Sequence, residues 1–380
     1  MRVMYIAPRY HTNQIPIIKG WLENGDEVCF VSRCSGPIED HSLITPVEVP
    51  YGNLSCFISG IYKAFHRNDP YAADFSLKYG FPSLAPIKRI IKSFRPDVVI
   101  IREKSLYSMV CYRVCKKLKV KAITYNQSPL YDYPDKFKRD FIHRIVDSLM
   151  PRTRLTPVRV KDCDYEGKVA DPNAFFAPFV CELRCKPEDK VYFKDGNINI
   201  LEIGRFERRK NHLLMLEAFV SVLNKQPNAR LTIVGEVSDH FHKEYLEEIK
   251  KYVSEHGLND KVSIFINQKV DEMATFYKNA DLYVLPSSDE PAAVSIVEAF
   301  GWSLPAICST TNGTADYVLI GQNGYVFKSG DVKDLADSIY KVITDKENIK
   351  KMGRKSYLIA ESDFQFTNYY EAVIKNVDLD

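Results

Sequence analysis

Nowhere in the sequence are two glycines separated by a single residue. The Gly-x-Gly-x-x-Gly turn of dinucleotide binders is therefore missing, which argues against NAD or FAD chemistry. The nine cysteines include no Cys-x-x-Cys, and neither Cys111/Cys115 nor Cys181/Cys185 has His or Cys partners at zinc-site spacing. They read as reduced thiols of a cytosolic protein. No apolar run is long enough to span a bilayer, and Met1–Ile6 is too short for a signal peptide, so membrane contact is expected to be peripheral at most, at the inner face. No nucleic-acid reading module is recognisable, and no nucleic-acid partner is expected.

What is present is a chain of 380 residues, too long for one ordinary core, so two domains are the natural expectation. The net charge of +3 is unevenly spread. Residues 1–190 carry 30 Lys+Arg against 21 Asp+Glu (+9), and 191–380 carry 22 against 28 (−6). Residues 51–150 alone hold 18 basic against 8 acidic side chains (+10), a balance that favours anionic surroundings such as a phosphorylated acceptor or an anionic membrane face, or marks a solvated basic surface. Short β-rich runs at Val3–Ala7, Glu27–Val31, Asp97–Ile101 and Lys121–Tyr125 alternate with helical spacing. The same rhythm returns at Ile198–Ile203, Leu231–Val234, Val262–Ile266, Leu282–Leu285 and Pro305–Cys308, which predicts an α/β protein of two halves. The polar stretch Pro178–Asp195 reads as the linker.

Two stretches of the second half carry chemistry. Leu282–Leu285 is a buried-strand run stopped by Pro286-Ser287, followed by Glu290 and an apolar stretch, Ala292–Phe300, which contains Glu298. With Pro291 as first helical residue, the eight positions between the glutamates would be about two turns, and Glu298 would be a carboxylate in a buried helix that needs a partner. The second stretch is Gly204-Arg205-Phe206-Glu207-Arg208-Arg209-Lys210-Asn211, between the strand Ile198–Ile203 and the helix Leu213–Leu223. Bases gathered before a helix N-terminus oppose its dipole unless an anion docks there.

Glu290 and Glu298 with seven residues between them, preceded by Pro286-Ser287 and followed by Leu304-Pro305, resemble the paired-glutamate motif of glycosyltransferase family 4; Gly204-Arg205 with Lys210 resembles its diphosphate clamp. The resemblance covers Ile198–Asp345 well and the first half only in outline. It implies a GT-B architecture, two Rossmann-like doubly wound domains facing across a cleft: 1–180 on the acceptor side, with a C-terminal helix at about 363–380 crossing back, and 196–362 binding the donor. By the same resemblance Glu290, Arg205 and Lys210 are catalytic, and Gly204, Glu298, Val270, Gly313, Thr314, Ala293 and Val294 bind the donor. Glu298 would hold the ribose and Glu290 the sugar hydroxyls. Three departures stand out: Asn211 replaces a glycine, Pro291-Ala292-Ala293 replace Gly-Phe-Gly, and Asn126-Gln127 stand where a histidine is common.

On the acceptor side His11, Arg102 and Gln127 are candidates, at the ends of predicted strands. The implied activity is a metal-independent hexosyltransferase, without cofactor, that moves a sugar with retention from a UDP- or GDP-linked donor to a glycan or lipid-linked acceptor in surface polysaccharide synthesis of bacterial type. No Asp-x-Asp metal site is expected to hold the leaving diphosphate. A nucleotide-sugar epimerase on the same fold and a non-catalytic nucleotide-sugar binding subunit are the alternatives. Interleaved aromatics and bases in 51–92, and the basic pattern of Lys136–Arg154, leave membrane-surface and ordinary surface readings both open.

Overall fold

A computed structural model describes residues 1–10, 14–35, 40–67, 75–102, 105–137 and 148–377. The chain divides into two compact units: 1–157 with 167–178 and 366–380, and 158–166 with 179–365.

The first unit contains β1 (Arg2–Arg9), α1 (Ile15–Glu23), β2 (Glu27–Cys34), β3 (Val47–Glu48), α2 (Asn53–Phe65), α3 (Phe75–Tyr79), α4 (Leu84–Phe94), β4 (Val98–Arg102), α5 (Leu106–Leu118), β5 (Ala122–Tyr125), β6 (Tyr131–Asp132), β7 (Arg154–Thr156), β8 (Val169–Ala170) and β9 (Ala174–Phe176). Seven of these strands form a parallel sheet in the order β3-β2-β1-β4-β5-β7-β9, while β6 and β8 pair antiparallel. Val98–Ile101 are wholly buried, as expected of a parallel strand covered on both faces. Ser105 caps α5 by accepting the Ser108 N–H at 3.2 Å.

In the second unit β10 (Ile198–Ile203), α6 (His212–Leu223), β11 (Ala229–Gly235), α7 (His240–Glu255), β12 (Val262–Ile266), α8 (Val270–Asn279), β13 (Leu282–Leu285), α9 (Val294–Gly301), β14 (Ala306–Ser309), β15 (Gly324–Phe327), α10 (Val332–Ile343) and α11 (Lys346–Asp363) follow in turn. Its parallel sheet runs β12-β11-β10-β13-β14-β15, so the strand order reverses between β10 and β13. Ligands of open α/β sheets bind outside the carboxyl ends of strands at such a switch point. Ile200, Ile233, Val284, Phe219 and Ile339 are among the side chains that pack the core around it.

The last helix, α12 (Phe366–Val377), belongs to the first unit. Its Phe366 ring packs edge-on against Trp21 of α1 at 5.1 Å, and a Cβ at Gly20 would meet that ring at 2.1 Å. Trp21 donates to the Tyr5 hydroxyl at 2.8 Å, which in turn contacts the Tyr369 hydroxyl at 3.2 Å.

Several expectations are corrected. The stretch expected to be a linker packs on the second unit: the buried Asp281 accepts the Phe193 and Asn199 N–H groups at 2.7 Å each, and Lys190 donates to the Tyr277 carbonyl at 2.9 Å. Residues 158–166, expected in the first domain, also group with the second unit. Arg154, read as part of a basic helix face, is a buried strand residue bonded to Asp171 at 3.0 Å and to the Ser128 carbonyl at 2.7 Å. Residues 138–147 of that expected helix lie outside the described residues.

Candidate functional site

The two loops at the switch point are tied together by hydrogen bonds to backbone carbonyls of each. Ser288 N–H donates to the Arg209 carbonyl at 2.7 Å, and Asn211 Nδ2 donates to the Pro286 carbonyl at 3.1 Å. Asn211 itself is left-handed (φ 57°, ψ 37°). This accounts for an asparagine where the related pattern has glycine, because asparagine tolerates that conformation and adds a side-chain amide that reaches the second loop.

The loop after β10 places Lys210 and Arg209 on the same oxygen of Glu290. Arg209 Nη1 lies 2.7 Å from Glu290 Oε2, and Lys210 Nζ is paired with the same atom. Glu290 is only 7% exposed. Burial pushes its carboxyl up, but the two cations outweigh that cost and hold it below the usual carboxylate range. Arg205 stands apart from this pair. It is half exposed and bonded to Glu207 at 2.9 Å, and Glu207 in turn holds Arg209 at 2.8 Å. Arg208, the remaining base, points away to Glu248 at 3.0 Å.

A third loop supports Glu290 from behind. The Gly313 N–H donates to the Glu290 carbonyl at 2.9 Å, and the buried Thr314 accepts the Ala293 N–H at 3.3 Å while bonding to Asn312 at 2.8 Å. A Cβ on Gly313 would lie 1.8 Å from the Pro291 carbonyl oxygen, so the close approach itself requires glycine. These bonds hold residues 290–293 out of the helix. Helix α9 starts at Val294, with Ala293 as its cap, so the glutamates are not separated by two helical turns as the spacing predicted.

Glu298 also differs from expectation. Its neighbours Ile296, Val297, Ala299 and Phe300 are buried, but the Glu298 side chain is open to solvent. Protein nevertheless surrounds it closely. This desolvation raises its carboxyl above the usual range, opposed by the hydrogen bond that Tyr277 donates at 2.7 Å and by the charge of Arg184. The other residues expected at the donor site fall in three places: Gly204 packs under the Lys210 side chain, Val270 opens α8 with its side chain exposed, and Val294 is half-buried at the first turn of α9.

Behind the bases lies a buried pair. His212 Nδ1 is 2.6 Å from Glu202 Oε1, both groups are essentially inaccessible, and His212 Nε2 is 3.0 Å from the Arg205 carbonyl. Burial disfavours the imidazolium, but Glu202 and then the Arg205 carbonyl more than compensate, so His212 titrates above its ordinary range.

Of the acceptor-side candidates, His11 lies outside the described residues. Arg102 stacks over the Tyr125 ring at 4.2 Å, and Gln127 donates to the Tyr125 hydroxyl at 3.4 Å, so these two converge at the ends of β4 and β5 in the first unit.

Residues 187–358 match the family described as glycosyl transferases group 1. The chain is 25% identical over 251 residues to the D-inositol 3-phosphate glycosyltransferase of Pseudarthrobacter chlorophenolicus, covering 62% of this chain and 59% of that one. It is 30% identical over 153 residues to protein CapJ of Staphylococcus aureus, covering 39% and 37%. The chain thus spans about half the length of the curated relatives it matches. Among solved structures, a glycosyltransferase of Rickettsia africae superposes with a TM-score of 0.72 at 15% identity, over 100% of this chain and 98% of that one. HepE of Anabaena, solved in complex with UDP-glucose, gives 0.73 at 13% over both chains in full. The fold is GT-B.

Four contributors to this site are not singled out by the sequence pattern: Arg209, Tyr277, and the pair Glu202 and His212. The available signal for Glu202 is an acid between the apolar Leu201 and Ile203 of β10. The sequence does hold Asp-x-Asp triplets, at Asp162-Cys163-Asp164 and Asp378-Leu379-Asp380, both outside residues 196–362.

Proposed function

We propose that this protein is a retaining glycosyltransferase of family 4 type, which transfers a hexosyl group from a UDP- or GDP-linked sugar to a glycan or lipid-linked glycan acceptor. The single observation that carries the reading is Glu290 held ionised by Arg209 and Lys210 at the strand-order reversal, with Glu298 open nearby on α9. The relatives point the same way, since they include enzymes named for glycosyl transfer and a capsular polysaccharide biosynthesis glycosyltransferase.

The chemistry follows from the charges. Departure of a nucleoside diphosphate develops negative charge that must be stabilised in place. Lys210, Arg209 and the half-exposed Arg205 are the available cations, and the arriving diphosphate would share Lys210 with Glu290. An ionised Glu290 accepts hydrogen bonds from donor-sugar hydroxyls near the reacting carbon. Glu298, already accepting one hydrogen bond from Tyr277, keeps a free oxygen for the vicinal hydroxyls of ribose. Retention would come from front-face attack, with the leaving phosphate taking the acceptor proton. Turnover is expected to need no divalent metal.

The test is a panel of UDP, GDP, ADP and their common sugar conjugates, scored by thermal shift with and without magnesium, followed by acceptor-dependent release of the nucleotide. A metal-independent shift by one nucleotide, lost in Lys210→Ala, supports the reading. Donor conversion without an acceptor would make the protein an epimerase, and no shift by any nucleotide would remove the donor site.

A further inference from the structure

We propose that Glu207 is a built-in counter-anion of the loop after β10, which competes with the donor's diphosphate for Arg205 and Arg209 and so keeps the nucleoside diphosphate from being held too tightly. The local backbone puts it there. Phe206 is fully buried and Glu207 is extended (φ −108°, ψ 143°), so the side chains on either side of Phe206, Arg205 and Glu207, share the opposite face. Glu207 gives one carboxylate oxygen to each arginine. Oε1 lies 2.9 Å from Arg205 Nη1, and Oε2 lies 2.8 Å from Arg209 Nε. From α7 the His242 ring faces the same carboxylate, with Nε2 3.5 Å from Oε1 and Nδ1 accepting the Ser238 N–H at 3.2 Å.

Residues 204–211 hold four bases and one acid. Glu290 reaches Arg209 and Lys210 from the second loop, Glu248 draws Arg208 away, and Glu236 stands 3.9 Å from Arg205. Glu290 has a further task in the proposed transfer, at the sugar hydroxyls. Among the described residues the Glu207 carboxylate meets only Arg205, Arg209 and His242, so its charge is what it contributes. A carboxylate with one oxygen on each of two guanidinium groups makes the contacts that phosphate oxygens would make. An arriving diphosphate therefore meets arginines whose donors are in part already taken, with a like charge beside them. The Glu207 side chain is 21% exposed and that of Arg205 51%, so one anion can replace the other in contact with solvent and at modest cost. Slow product departure limits turnover in many enzymes, and an internal competitor eases it. The inference rests on the donor-diphosphate reading proposed above.

Isothermal titration of the full chain with uridine, UMP, UDP, the guanosine series and inorganic pyrophosphate tests it. Glu207→Gln keeps the size of the side chain and removes its charge. It is expected to bind the preferred nucleoside diphosphate and pyrophosphate about fivefold or more tightly than the wild type, with a smaller gain for the monophosphate and none for the nucleoside. Glu248→Gln removes the same charge from Arg208 of the same loop and should leave each constant within about twofold. Unchanged or weaker diphosphate binding by Glu207→Gln overturns the inference and makes Glu207 a scaffold that orients the two arginines. So does an equal gain in Glu248→Gln, which would assign the effect to net charge, or an equal gain for the nucleoside. Those results leave the donor site standing. A wild type that binds neither a nucleoside diphosphate nor pyrophosphate removes the donor site, and the inference with it.

Discussion

Arg209 and Glu290 are 81 positions apart in the chain, yet a guanidinium nitrogen and a carboxylate oxygen meet at 2.7 Å, each carried by the loop that leaves one of two adjacent parallel strands. Lys210 reaches the same oxygen. With Glu207 also on Arg209, two cations face two carboxylates, so an anionic leaving group would have to draw Lys210 and Arg209 away from Glu290 and Glu207. Lys210→Ala is expected to lower acceptor-dependent turnover about 100-fold and Glu290→Ala about tenfold or more. Steady-state kinetics with saturating acceptor would check this, and wild-type turnover in Glu290→Ala would take that residue out of the mechanism.

The same ion pairs make an acid-limb prediction. Glu290 has a folded pKa below its unfolded one, so its contribution is present above the unfolded value of about 4.3 and is lost as pH falls through the depressed folded value. Urea midpoints recorded against pH should fall less steeply below about pH 4.5 in Glu290→Gln than in the wild type. Parallel curves would mean that the pairs are not maintained in solution.

Glu298 behaves in the opposite sense. Its carboxyl is raised, so the folded state holds that proton more tightly, and stability decreases as pH rises through the folded value. Glu298→Gln is therefore expected to melt slightly higher than the wild type at neutral pH while binding nucleotide at least about tenfold more weakly. A variant that loses both stability and binding would mark Glu298 as a structural residue instead.

His212 adds a basic-side limb. Its folded pKa lies above the ordinary value, so its contribution is complete below about pH 6.5 and is lost as pH rises through the folded value. Thermal melts of the wild type should fall across that range, and His212→Leu should show less of the decline. Because His212 contacts the Arg205 carbonyl, the Michaelis constant for the donor should rise more than kcat falls.

Asn211 separates conformation from hydrogen bonding. Asn211→Gly keeps the left-handed backbone and loses only the bond to Pro286, whereas Asn211→Ala adds conformational strain of about 1 kcal/mol. Chemical denaturation should rank the wild type, then glycine, then alanine. Gly313→Ala should be worse than either, because its methyl group has no space beside Pro291.

Much of the α/β architecture was legible in the sequence, because buried parallel strands are short continuous apolar runs and loops that stop at glycine or proline are local signals. Val98–Ile101 and Leu282–Leu285 needed no tertiary information to be read as strands, and Ser105 before a helical run announced its cap. Residue type likewise marked the bases at 205–210 and the two acids at 290 and 298 as unusual for where they stand.

The sequence by itself therefore determined strand order along the chain, the loops that carry charge, and the misfit of those charges with their local surroundings. Tertiary structure alone decided which charges meet. Arg209 rather than Arg205 joins Lys210 on Glu290, the helix after Pro291 waits until Val294 because Gly313 and Thr314 bind the intervening backbone, and Glu298 opens to solvent amid buried neighbours. α2 turns Ser55 and Ser59 inward and leaves Leu54, Phe57 and Phe65 exposed. Each depends on a contact between residues distant in sequence, and side-chain spacing along one segment carries no information about what another segment presents to it.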